Sequence, residues 1–175
     1  GLKAILGDII YSEKDDTLES AVGDLLKAYG KTLSTAESCT GGMISSLITS
    51  VAGSSEYFLG SVTSYANEVK ENVLGVPAEI IAEHGAVSSE CVAAMAEGVR
   101  RITSSDYSVA TSGIAGPGGG SEEKPVGTVW IGVSSDNGTE TFRLKFNSDR
   151  KRNIERFSSS ALHILLNKIK KELNN

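Results

Sequence analysis

Apolar residues along this chain fall into two rhythms, one near 3.6 residues and one of extended runs, and they alternate. Leu18, Ala21, Val22, Leu25 and Leu26 recur at helical spacing. Asp16 followed by Glu19 resembles a capping box at the start of that helix, and Gly30 ends it. Lys31–Ala36 has extended propensity, and Met43, Ile44, Leu47, Ile48 and Val51 then return to the helical period. Phe58–Tyr65 reads as a second strand, and Asn67–Leu74 as a short helix stopped by Gly75. Pro77 suits the first turn of a helix over Ala78–Glu83, with Gly85 behind His84 as its stop. Ser88 or Ser89 opens a longer helix in which Val92, Met95, Ala96, Val99 and Ile102 share one face. Tyr107–Ser112 is a third strand. Thr128–Ser134 and Thr139–Phe146 are the fourth and fifth, joined at Asp136-Asn137-Gly138 in what reads as a tight hairpin. Ser148 or Asp149 caps a final helix whose stripe is Ile154, Phe157, Ala161, Leu165 and Ile169.

Strands alternating with helices, plus one hairpin, predict a three-layer α/β/α sandwich with a mixed, mostly parallel sheet of about five strands. Residues 1–16 lack a helical period and read as a linker, so the domain is expected over 17–175. A chain of 175 residues, 39% hydrophobic and 22% charged, suits one domain with a sizeable core. No apolar run approaches the ~20 residues of a membrane span, and no basic-then-apolar start suggests a signal peptide; a cytoplasmic protein is expected. A net charge of -5 argues against non-specific nucleic-acid binding, which draws on clustered Lys and Arg. Two cysteines and two histidines provide neither a disulfide framework nor a metal constellation.

Two stretches carry candidate chemistry. Thr35-Ala36-Glu37-Ser38-Cys39-Thr40-Gly41-Gly42 lies between a strand and a helix. It therefore puts Ser38 at the carboxyl edge of the sheet, beside glycines that let a ligand approach backbone N–H groups at a helix start. A nucleophile and an oxyanion site fit there; Ser38 and Thr40 acting only as helix caps fit as well. The second stretch is the loop from Gly113 to Gly127, which contains neither a Walker pattern nor an intact GxGxxG. It is either a plain connection or, at a length beyond ~12–15 residues, a functional loop whose glycine N–H groups cradle a phosphate. Neither His84 nor His163 reads as lying at a strand edge, so a Ser-His-Asp triad is not expected. A lysine whose pKa is lowered by burial can replace the histidine, and Lys70, just past the second strand and close to Tyr65, is the candidate base. The competing reading of Lys70 is a solvated helix surface.

Thr35–Gly42, Ser64-Tyr65-Ala66-Asn67-Glu68-Val69-Lys70, His84-Gly85-Ala86-Val87-Ser88 and Ser112–Thr128 together resemble the competence-damage-inducible CinA family, in particular its C-terminal nicotinamide mononucleotide deamidase domain. The resemblance runs from about Thr17 into the final helix. It implies hydrolysis of the carboxamide of nicotinamide mononucleotide to nicotinate mononucleotide and ammonia, with no metal and no cofactor. Carried onto this chain, Ser38 is the nucleophile, Lys70 its base and Tyr65 a supporting catalytic residue. Thr40, Gly41, Gly42, Ser112, Gly113, Gly116 and Arg150 are the implied substrate-binding positions. The resemblance further implies a homodimer and, ahead of residue 17, the junction to an upstream domain linked in the family to ADP-ribose pyrophosphatase activity. The alternative it leaves open is a catalytically silent nucleotide-binding module.

Overall fold

The computed structural model describes residues 17–174, so the expected linker over 1–16 lies outside the described residues. Its elements in chain order are α1 (Leu18–Ala28), β1 (Leu33–Glu37), α2 (Met43–Thr49), β2 (Phe58–Thr63), α3 (Asn67–Asn72), α4 (Ala78–His84), α5 (Ser89–Thr103), β3 (Tyr107–Gly113), β4 (Thr128–Ser135), β5 (Gly138–Lys145) and α6 (Arg150–Leu173). The strands form one sheet in the order β2-β1-β3-β4-β5. β1 is parallel to both β2 and β3, while β3–β4 and β4–β5 are antiparallel. The sheet is therefore evenly divided and not mostly parallel. The Gly113–Gly127 connection reverses direction without a crossover helix, which a parallel pair would need.

Period-two alternation in the strands sorts the core into two layers. Leu33, Val109, Val129, Ile131 and Val133 point toward α1, α2 and α6, where Val22, Leu26, Ile44, Ile48, Phe157, Leu165 and Ile169 complete one cluster. Ala36 and Ala110 point the other way, against Val92, Met95 and Val99 of α5 and against Leu74 and Val76. Small residues on that second face let α5 sit close to the sheet. Four of the five stripe residues expected on α5 are buried, but Ile102 is half exposed because the stripe drifts off the sheet in the last turn. The cap of α1 is Thr17, whose hydroxyl accepts from the Ser20 N–H, in place of the expected Asp16. Among the described residues, no helix is long and apolar enough to cross a membrane.

This topology makes a crevice. From β1 the chain passes to α2 on one face of the sheet, and from β2 it passes to α3 and on to Leu74 on the other. Neighbouring parallel strands whose connections leave in opposite directions part at their carboxyl ends, where ligands of open α/β sheets bind. Ser38 follows β1 and Lys70 follows β2, so both stand at that opening.

Candidate active site

The turn after β1 is built by an acid that the sequence reading did not single out. Glu37, the last residue of β1, is completely buried. Its Oε1 accepts from the Ile44 N–H and the Thr40 hydroxyl, both at 2.8 Å, and its Oε2 accepts from the Ser45 N–H at 3.0 Å. Glu37 thus fills the amino end of α2 from within the protein, where a helix start attracts negative charge. Neither Ser38 nor Thr40 caps that helix: its N-cap is Gly42, at φ 101° and without a side-chain bond. Gly41 is also left-handed, at φ 59°, so the chain can double back so tightly only because both residues lack a Cβ. The one available signal was a charged residue ending a run of otherwise uncharged strand positions.

Ser38 sits on this turn, its N–H donating to the Thr111 carbonyl at 3.0 Å and its own carbonyl accepting from Gly41 N–H at 3.1 Å. Its hydroxyl lies 3.1 Å from Nζ of Lys70. Lys70 is 1% exposed, which disposes of the solvated-surface reading. Its Nζ also donates to the Ser64 carbonyl at 2.7 Å and the Tyr65 carbonyl at 3.3 Å. Burial lowers the Lys70 pKa from the ordinary lysine value, against smaller opposing effects of Cys91 and Cys39. As a neutral amine Nζ sends two N–H groups to the carbonyls and turns its lone pair to the Ser38 hydroxyl, whereas as an ammonium it donates to all three.

The pair opens into a cavity of about 280 Å³ whose walls include Ser38, Lys70, Tyr65, Asn67, Ser112, Gly113, Gly116 and Arg150. Arg150, the first residue of α6, donates through Nη1 to the Gly116 carbonyl at 2.7 Å and through Nη2 to the Tyr65 hydroxyl at 3.3 Å. Tyr65 therefore meets Lys70 by its main chain and Arg150 by its side chain. One turn on, Asn153 donates to the Ala115 carbonyl at 3.0 Å, so α6 grips the glycine loop at two successive residues. Ser112 lines the cavity, yet its hydroxyl donates to the Ala86 carbonyl at 2.7 Å and fixes the His84–Ser88 segment against β3. Gly113 is closely confined: a Cβ there would stand 2.6 Å from the Thr128 carbonyl oxygen. Thr40, Gly41 and Gly42 lie on a neighbouring groove with Met43, Ser46, Leu47 and Glu155 instead of on the cavity wall.

Asn67, Ala86 and Val87 line the cavity without having been named as site positions, although Asn67 stood inside a recognised motif. His84 ends α4 and approaches Glu83 and Glu90 at 3.7 and 3.8 Å, away from the cavity. Cys39 touches the cavity, but burial pushes its thiol up to about 12, so it carries little thiolate near neutral pH. Among the described residues no three His, Cys, Asp or Glu side chains gather where a metal could be held.

Comparison with known proteins gives a consistent result. Residues 15–169 match the family described as the CinA C-terminal domain. A CinA-like protein of Pseudothermotoga lettingae is 51% identical over 150 residues, covering 86% of this chain and 37% of that protein. A CinA-like protein of Cytophaga hutchinsonii is 46% identical over 161 residues, covering 92% and 38%. The chain thus spans about two fifths of the length of these curated relatives. A crystal structure of a CinA superfamily protein from Klebsiella pneumoniae superposes with a TM-score of 0.85 at 36% identity, covering 88% of this chain and 96% of that one.

Proposed function

The chain belongs to the CinA family through its C-terminal domain, and we propose that it is an amidohydrolase that converts nicotinamide mononucleotide to nicotinate mononucleotide and ammonia. One observation carries the reading: a buried lysine, paired with no carboxylate among the described residues, lies 3.1 Å from a serine hydroxyl at the mouth of a cavity. A lysine needed only for structure would more readily be found beside an acid or in water.

The chemistry runs as acyl transfer. Ser38 Oγ attacks the carboxamide carbon while its proton passes to the neutral Lys70 amine. The carbonyl oxygen becomes an oxyanion, for which the Cys39 N–H is a candidate donor: Cys39 lines the cavity, and its N–H donates to no backbone carbonyl among the described residues. Lys70 returns the proton to the departing nitrogen as the C–N bond breaks, so ammonia leaves and Ser38 holds the acid as an ester. Water, deprotonated by Lys70, then cleaves the ester, releasing the carboxylate and restoring Ser38. At the other end, Arg150 has donors beyond the two engaged by Gly116 and Tyr65, and with the glycine loop it suits the substrate phosphate.

Incubation of the purified protein with nicotinamide mononucleotide, read as ammonia release, tests this directly. Turnover that disappears in Ser38→Ala is expected. Tight binding of the nucleotide with no ammonia released would replace the reading with a silent binding module.

A further inference from the structure

We propose that Glu37 is a positioning residue for the nucleophile, an inference that rests on the Ser38-centred reading above. Its carboxyl group holds the Ser38–Gly42 turn against α2 by accepting from the Thr40 hydroxyl and from the Ile44 and Ser45 N–H groups.

Three donors converge on Glu37 from two sides of the turn: Thr40 Oγ1 from within it, and the Ile44 and Ser45 N–H groups from the helix beyond. The Thr40 hydroxyl lies also 2.8 Å from the Thr111 hydroxyl, and the Thr111 carbonyl accepts from Ser38 N–H. Glu37 is thereby linked through Thr40 to the β3 residue that anchors Ser38. The Glu37 carbonyl accepts from Ser64 N–H at 2.9 Å, and the Ser64 carbonyl in turn accepts from Lys70. One residue thus ties the serine side of the pair by its side chain and the lysine side by its main chain. With both oxygens engaged and no exposure, the carboxyl group cannot touch substrate in the cavity.

The demand is for a carboxylate and not an amide. Three donors need two accepting oxygens, and a glutamine would turn an NH₂ toward one of them, leaving buried donors facing each other. The turn would then relax, and a displacement of about 1 Å at a reacting atom is enough to lose roughly 100-fold in rate.

The test compares Glu37→Gln, Thr40→Val and the remote core truncation Leu165→Ala with the unaltered protein. Two readouts are taken: steady-state ammonia release, and the rate at which a fluorophosphonate labels Ser38, followed by intact mass. Glu37→Gln should lower kcat and the labelling rate by about 100-fold with KM within about threefold, and Thr40→Val by about 10-fold. Leu165→Ala should lose thermal stability with both rates kept. Normal rates in Glu37→Gln, a change confined to KM, or an equal fall in Leu165→Ala at matched stability would overturn the proposal. If Glu37→Gln does not fold, Thr40→Val with unimpaired rates overturns it. Labelling depends on the serine and not on the nucleotide, so labelled protein that releases no ammonia defeats the amidohydrolase reading alone. An unaltered protein that the probe does not label defeats both.

Discussion

Among the described residues Lys70 and Lys168 are both buried, and the chain treats them in opposite ways. Lys168, on α6, is 8% exposed and has acids beside it, Glu172 at 2.9 Å and Glu140 at 3.1 Å. Burial pulls its pKa down, but the hydrogen bonds and charges of Glu172 and Glu140 outweigh burial and hold the amine above its ordinary value. Lys70 is buried more deeply, and its Nζ meets two carbonyls and a hydroxyl in place of an acid. Burial dominates there and lowers the pKa. Burial acts on both amines, but it prevails only at Lys70, where no acid stands beside the amine. What decides is the company each amine keeps.

The comparison breaks most sharply at activity. Ser38→Ala and Lys70→Arg should each lower kcat/KM for nicotinamide mononucleotide by at least about 10,000-fold, the scale seen when a covalent catalyst loses its nucleophile or base. Arginine keeps the charge but stays protonated, so it cannot accept the Ser38 proton. Lys168→Arg should leave kcat unchanged. An active Lys70→Arg protein, measured by ammonia release, would reduce Lys70 to a holder of positive charge.

Stability reverses the ranking. Lys168→Met strands Glu172, whose side chain is 11% exposed, without its cation. Breaking a buried pair from one side costs about 3–5 kcal/mol, and the lower end applies because Glu140 is nearly half exposed and regains water. Urea unfolding at pH 7 should show about 3 kcal/mol lost. A loss under 1 kcal/mol would mean that the pair is merely a surface contact.

The difference between the two lysines was partly legible in the chain. Lys70 could be suspected because its motif follows a strand and the Ser38 turn follows its neighbour. Whether it was buried depended on α3 tucking against the crevice, which no local period announces. Glu37 escaped notice because acids usually mark surface, and its partners lie three, seven and eight residues on, beyond a turn whose left-handed glycines set the geometry. The Lys168 network joins α6 to β5 across 28 residues, and its stripe position reads as solvent-facing in isolation. The α/β/α layering was legible because the 3.6 and extended rhythms alternate cleanly. The share of parallel pairing was overestimated because the length of the Gly113–Gly127 loop does not reveal whether the chain reverses or crosses over.

On the proposed reading Lys70 serves as the base, so the substrate phosphate falls to another cation, and Arg150 lines the same cavity. Arg150→Ala should reduce kcat/KM for the mononucleotide by about 10- to 100-fold, the range for one charge-assisted bond of about 1.5–3 kcal/mol. Nicotinamide riboside, which lacks the phosphate, should be a poor substrate for the unaltered protein and scarcely poorer for the variant. Equal losses on both substrates would make Arg150 a support for the Gly116 loop or for Tyr65 instead.

The smallest effect is the pH dependence of stability, where the two lysines should slope differently. Lys70 has a folded pKa below its unfolded value near 10.5, so in the acid part of that interval folding must either release a proton or bury a charge. That penalty fades as pH rises from the folded toward the unfolded pKa. Replacing Lys70 with Met removes it, so the variant should compare most favourably with the unaltered protein near neutral pH and progressively less so toward pH 10.5. Lys168 has a folded pKa above its unfolded value, so its contribution is complete below about pH 10.5 and is lost only as pH climbs through the raised value. Lys168→Met should therefore show a constant deficit across the interval in which Lys70→Met changes. The kcat/KM of the unaltered protein should rise as pH climbs through the lowered folded pKa and level off above it, as the amine facing Ser38 becomes neutral. Urea unfolding of the three proteins between pH 7 and 10 supplies the comparison. Parallel curves for Lys70→Met and the unaltered protein would show that the three partners of Lys70 offset its burial, leaving the proton on the amine and Ser38 without its base.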